Sequence, residues 1–169
     1  MRGTGGLLLA LDFDGVMHHH NVLWHPKFGA YLSAPEQFKL FQHVDLLERT
    51  LAPYPGVQIV LSTSWVRQYG CAGATKNLSP PLRSRVIGAT FHSKMDERSF
   101  IALPRGVQVM NDIARRRPKR WLALDDDYEN WPVDGLANFV RTHPELGISE
   151  PNVLDEFKSK LADMCRPVE

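Results

Sequence analysis

Three apolar runs in this chain each stop on a cluster of small polar or acidic residues. Residues 7–13 (LLLALDF) run into Asp14 and Gly15, Val57 to Leu61 (VQIVL) into Ser62, Thr63 and Ser64, and residues 121–124 (WLAL) into Asp125, Asp126 and Asp127. Unbroken apolar runs of this length suit strands buried on both faces, the habit of a parallel sheet. A weaker fourth run is 137–142 (ANFVRT). Between them, residues 43–51 (HVDLLERTL), 105–116 (RGVQVMNDIARR) and 151–164 (PNVLDEFKSKLADM) carry apolar residues at the three-and-four spacing of a helix packed on one side. Strands alternating with helices predict an α/β layer fold with a mainly parallel sheet. In such a sheet the carboxyl ends of neighbouring strands open on one crevice, so the three polar clusters should converge.

Composition narrows the setting. The length of 169 residues fits one domain over 1–169, with no internal repeat, low-complexity segment or dividing linker. Twenty Lys and Arg against nineteen Asp and Glu leave a formal net charge of +1, which argues against a protein that grips nucleic acid along its phosphates. Two cysteines, Cys71 and Cys165, are too few for a disulfide framework or a cysteine-built zinc site, and suit a reducing interior. The apolar run at Leu7–Leu11 meets Asp12 at once and is too short for a signal segment or a membrane span. A soluble, cytoplasmic protein with no membrane partner is expected.

The carboxylates carry the chemistry. Asp12 and Asp14 stand two apart before Gly15, so one can enter the crevice while the turning chain brings the other alongside; Asp125 and Asp126 arrive from another strand end. Like charges that close raise each other's pKa and are tolerable only with a cation among them or with protons taken up. Hard oxygen donors with no thiolate nearby favour Mg²⁺, and phosphoryl transfer is the simplest use of the arrangement. An acidic run alone is commonly a solvated loop or a helix cap. Three polar clusters, each at a strand end and in the right order, are not explained that way.

These segments resemble a known family. LDFDGVM looks like the first motif of the haloacid dehalogenase-like (HAD) hydrolases, VLSTSW like the second and WLALDDD like the fourth. The whole chain, including FVRTHPELGIS and the helix after it, is similar to the compact HAD domains associated with Swiss-Army-knife RNA-repair proteins. The resemblance implies a Rossmannoid three-layer sandwich with minimal or no cap, and a phosphomonoesterase working through an aspartyl-phosphate. Asp12 would be the nucleophile, and Asp14 the acid that protonates the leaving oxygen and then the base that activates water. Asp12, Asp125 and the backbone carbonyl of Asp14 would hold Mg²⁺, with Asp126 in support. Thr63, with Ser62 as the alternative, would bind a phosphate oxygen. The third motif expects a Lys or Arg ahead of the fourth; Arg105 is taken as its equivalent, with Lys94 the upstream alternative.

Other features carry less. His18-His19-His20, with His25 nearby, reads as a solvent-facing or substrate-facing loop beside the site rather than a second metal centre. Ser64 and Trp65 read as a turn residue and a core aromatic, and Trp24, Trp121 and Trp131 as packing residues, of which Trp24 and Trp131 are also candidate pocket walls. The basic run 115–120 (RRRPKR) reads as the cationic end of a helix stopped by Pro118. Cys71 lacks a catalytic His in its Gly-rich loop and is no thiol nucleophile. Neither 17–56 nor 65–125 is long enough for a full cap domain, so the site should be open to a phosphate on a small molecule or at a nucleic-acid end. Two other classes compete. A non-catalytic binding or regulatory module gains little from an acid/base carboxylate such as Asp14. Carbon–halogen hydrolysis needs no metal and leaves Asp14, Asp125 and Asp126 unexplained.

Overall fold

The order β5-β4-β1-β6-β7 builds a five-stranded sheet in which every neighbouring pair is parallel. Its strands are β1 (Leu7–Leu11), β4 (Val57–Leu61), β5 (Val86–Ala89), β6 (Arg120–Asp125) and β7 (Phe139–Arg141). A computed structural model describes residues 6–168 of the chain. Register is strict at the centre: Leu11 of β1 lies level with Leu61 of β4 and Leu124 of β6.

Both faces of the sheet are covered, as the unbroken apolar runs require. On one face Leu9, Leu11, Leu61 and Leu124 meet Leu47 and Leu51 of α1 (Val44–Leu51), Val66 and Ala74 of α2 (Trp65–Thr75), and Phe157 and Leu161 of α6 (Pro151–Cys165). On the other, Ala10 and Ala123 meet Val109 of α5 (Arg105–Arg116), Trp131 and Phe139. The result is the expected three-layer α/β sandwich. Each buried leucine contributes roughly 1.5–3 kcal/mol by leaving water. The central strands are thus gripped from both sides, and their carboxyl ends are fixed in space.

The helices expected at 43–51, 105–116 and 151–164 are α1, α5 and α6, within a residue at each end. The fourth strand is shorter than its apolar run: β7 keeps only Phe139–Arg141, after a 3₁₀ turn at Val133–Asn138. The 17–56 interval holds a small antiparallel hairpin, β2 (Val22–His25) with β3 (Gly29–Leu32), besides α1. A hairpin of this size leaves the cap minimal. The short helices α3 (Pro80–Arg83) and α4 (Glu97–Ala102) fill the connections around β5. Among the described residues no helix is long and apolar enough to cross a membrane.

Part of the basic run 115–120 is used internally, while Arg115, Arg117 and Lys119 stay exposed. Arg116 is buried and pairs with Asp112 at 2.6 Å, while Arg115 pairs with the same carboxylate. Arg120 donates to the carbonyls of Met164 and Arg166 at 2.9 and 2.7 Å, satisfying the open end of α6.

Candidate active site

Strand alternation decides which side chains meet. Asp12, Ser62 and Asp125 each follow by two residues a side chain of one sheet face, that of Ala10, Val60 and Ala123. Helix α5 covers that face, and its first residue is Arg105. The ladder continues past the strands: the Asp12 amide donates to the Leu124 carbonyl at 3.1 Å and the Ser62 amide to the Leu11 carbonyl at 2.8 Å. Thr90 and Thr142 extend the same row to β5 and β7, so the carboxyl edge carries a line of buried polar residues.

Asp12 is 3% exposed and Asp125 1%. The Asp12 carboxylate accepts from the Phe13 amide at 2.8 Å, and that of Asp125 from the Asp127 amide at 3.0 Å. Arg105 lies between them, 3.5 Å from Asp12 Oδ1 and 3.8 Å from Asp125 Oδ2, and donates to the Ser62 carbonyl. Burial, then the Asp125 charge, push the Asp12 carboxyl well above the usual carboxylate range against the pull of Arg105. Burial pushes Asp125 up to about 6, and burial with the Asp12 charge pushes Asp126 up to about 7. Burial works against the charge of Arg105, but Asp125 and Asp12 outweigh it and raise its pKa.

Asp12, Asp125 and Asp126 each bring one oxygen within 4.8 Å of the others, and they are the metal-competent cluster among the described residues. All three donors are carboxylates, and Oδ2 of Asp125 is buried without a hydrogen bond. That donor set fits a hard divalent cation such as Mg²⁺. Gly15 makes the approach possible. It sits at φ +73°, and a Cβ there would strike the Asp126 carboxylate. Thr142 clamps the turn through its hydroxyl, which donates to the Gly15 carbonyl at 2.6 Å.

Cation binding should therefore be linked to pH. Unfolded carboxyls ionise near 4, so between about pH 4 and about pH 7 the folded chain holds protons that the unfolded chain has lost, and metal-free stability falls as pH rises. A cation needs the ionised carboxylates and relieves their repulsion, so its stabilisation grows over the same window. The increase in Tm on adding Mg²⁺ is expected to be clearly larger at about pH 7.5 than at about pH 5. Equal increases at both would remove the link between this cluster and a cation.

The Asp14 carboxylate lies outside this group of oxygens, although its charge helps push Asp12 and Asp126 up. Its Oδ1 accepts from Trp65 Nε1 at 2.8 Å and lies 2.9 Å from His18 Nε2, while the side chain stays 25% exposed. Thr63 and Arg105 line a shared cavity of about 350 Å³ with Arg67, Gln108 and Asn130. The Thr63 hydroxyl accepts from the Trp65 amide at 3.3 Å, and Ser62 Oγ is buried with no hydrogen bond. Lys94 is exposed and lines a different cavity with Cys71 and Arg115. Of the two third-motif candidates, the fold brings Arg105 to the carboxylates.

Two residues at the site carried no such reading in sequence. Trp65 is a core aromatic as expected, 3% exposed, but its indole N–H is committed to Asp14. The histidine run, read as a solvent-facing or substrate-facing loop beside the site, does lie beside Asp14, but His18 and His19 are buried and only His20 of the run is exposed. Trp24 packs on Trp65 and Tyr69, and Trp131 stacks on Phe139 at 3.9 Å.

Comparison with known proteins gives the family of the chain. The model of the family described as "HAD domain in Swiss Army Knife RNA repair proteins" matches residues 8–153. No curated protein and no solved structure matches the chain. The matched span contains β4, β6 and all of β1 after its first residue, with every carboxylate of the site, and the chain belongs to the family of HAD domains found in Swiss Army Knife RNA repair proteins.

Proposed function

We propose that this HAD-type hydrolase domain is a Mg²⁺-dependent phosphomonoesterase. The observation that carries the reading is the division of labour among the carboxylates: Asp12, Asp125 and Asp126 meet around one point beside Arg105, whereas Asp14 is held separately at the rim. A site with one grouped set and one partly exposed carboxyl held by its own donors suits a nucleophile supported by charge and a distinct proton donor.

In the proposed reaction Asp12 attacks phosphorus, the bond from phosphorus to the leaving oxygen breaks, and Asp14 delivers its proton to that oxygen. Asp14, now a carboxylate, takes a proton from water, whose oxygen attacks the aspartyl-phosphate and releases inorganic phosphate and Asp12. Arg105 counters the negative charge gathered on the phosphoryl oxygens, and Thr63, with Ser62 as the alternative, supplies a hydroxyl to one of them. A Mg²⁺ ion bound by Asp12, Asp125 and the Asp14 carbonyl, with Asp126 in support, would lower the repulsion between nucleophile and phosphate.

The β2–β3 hairpin is too small to close the site over a substrate. A terminal phosphate on a large molecule can therefore enter as readily as a small one, and the family's RNA-repair description points to nucleic-acid ends. Phosphate release should be seen from an aryl phosphate and from 5′- or 3′-phosphorylated oligonucleotides with Mg²⁺, and be abolished by chelator. Release undiminished by chelator would exclude the metal. No release from a broad panel of phosphomonoesters would leave a non-catalytic binding module in its place. Efficient turnover of sugar phosphates with none of oligonucleotides would overturn the open-site reading.

A further inference from the structure

We infer that His18 is a positioning residue that fixes the carboxyl of Asp14 for proton transfer, which rests on the reading of Asp14 as the acid and base. The imidazole is fully buried between the loop after β1 and the residues before α1. Its Nδ1 accepts from the Phe41 amide at 3.0 Å. A backbone N–H cannot accept, so Nδ1 carries no proton and the ring is neutral with its one proton on Nε2. That proton points at Asp14 Oδ1, 2.9 Å away. His18 is therefore a donor to Asp14 whose tautomer is set by the main chain.

The same oxygen receives the indole N–H of Trp65. Two donors from different segments, His18 close in sequence and Trp65 from the start of α2, converge on Oδ1 and fix the rotation of the carboxyl group. Oδ2 is left to exchange the proton. The main chain repeats the clamp, because the Gly15 amide donates to the His18 carbonyl at 3.0 Å and closes the loop on itself.

The surroundings fix the ring as well. Phe41 lies edge-on to His18 at 4.7 Å, to Phe13 at 5.0 Å and to Trp65 at 4.9 Å. Phe41 holds φ +56°, a left-handed conformation that a bulky residue rarely adopts. Its amide donates to His18 Nδ1 and so holds the imidazole in this orientation.

Three proteins test this: wild type, His18→Leu, which removes the donor at similar size, and His18→Gln, which restores an N–H near the place of Nε2. For alkyl phosphates, whose leaving oxygen needs a proton, kcat/KM of His18→Leu should fall roughly 10- to 100-fold, part of the 10²–10⁴ that a positioned acid supplies. For a nitrophenyl phosphate, which leaves without one, kcat/KM should change less than about threefold. His18→Gln should recover most of the alkyl rate, and inhibition by inorganic phosphate should stay as in wild type. If His18→Leu does not fold, the ring ¹⁵N shifts of wild type decide: a neutral imidazole protonated on Nε2 supports the inference, and a proton on Nδ1 overturns it. An active wild type in which His18→Leu slows both substrates alike overturns the inference alone. A wild type that hydrolyses no phosphomonoester overturns the phosphatase reading and the role of His18 with it.

Discussion

Asp12→Asn should abolish phosphate release while leaving the protein at least as stable as wild type near neutral pH. The two effects share a cause. Asp12 is buried beside Asp125, and both the burial and the neighbouring charge oppose its ionisation. An amide of the same shape keeps the packing and removes a charge that the fold accommodates at a cost. Catalysis loses its nucleophile, a loss on the order of 10⁶ in kcat for hydrolases that work through a covalent intermediate. The stabilisation by Mg²⁺ should shrink as well, since one of three carboxylate donors has gone. Phosphate-release assays and thermal unfolding with and without Mg²⁺ read all three outcomes. Release that survives the substitution would remove Asp12 from the nucleophile's place. A large drop in metal-free Tm would show that the cluster is held together by something other than the balance described here.

The parts of this site that were legible in sequence lie where local pattern and function coincide. Leu7–Leu11, Val57–Leu61 and the run into Asp125 are apolar because strands in a doubly covered sheet must be. Their polar ends are visible because the parallel register then aligns them. Arg105 was legible only through the family resemblance, which expects a cation ahead of the fourth motif, and the fold places it at the head of the amphipathic helix on the covering face. The hairpin β2–β3 went unread although its turn, Pro26 to Gly29 between two short runs, is a recognisable signal. Helix α2 was hidden by its own sequence. Gly70 breaks it at φ +73°, and Gly70 and Gly73 both lower the helix propensity of its second half. His18 and Trp65 were hidden by distance. Trp65 reaches Asp14 across 51 positions, and the His18 tautomer depends on an amide 23 positions on. A run of three histidines looks like surface until the chain folds back over it.

Arg105→Ala is the second substitution expected to have a large effect, and it also separates the two third-motif candidates. Arg105 is the cation within ion-pair reach of both Asp12 and Asp125, and its bond to the Ser62 carbonyl ties α5 to the end of β4. Without it, the carboxylates lose the neighbour that favours their ionised form, so both carboxyls rise further. A larger fraction of Asp12 is then protonated and unreactive, and the acidic limb of the pH–rate profile should move to higher pH. The phosphoryl oxygens also lose a charged donor, a change worth about 10²–10³ in kcat when such donors are removed elsewhere. The metal-free protein should lose stability, increasingly as pH rises and the unpaired carboxylates ionise, and Mg²⁺ should recover part of the loss. Arg105→Lys keeps a positive charge but cannot reproduce the planar fork that reaches Asp12, Asp125 and the Ser62 carbonyl together, so its activity should fall between the two. Lys94→Ala should leave the rate unchanged, because Lys94 is exposed and lines another cavity. The opposite pattern, with Lys94→Ala slow and Arg105→Ala normal, would mean that the carboxylates draw their compensating charge from a different arrangement during the reaction.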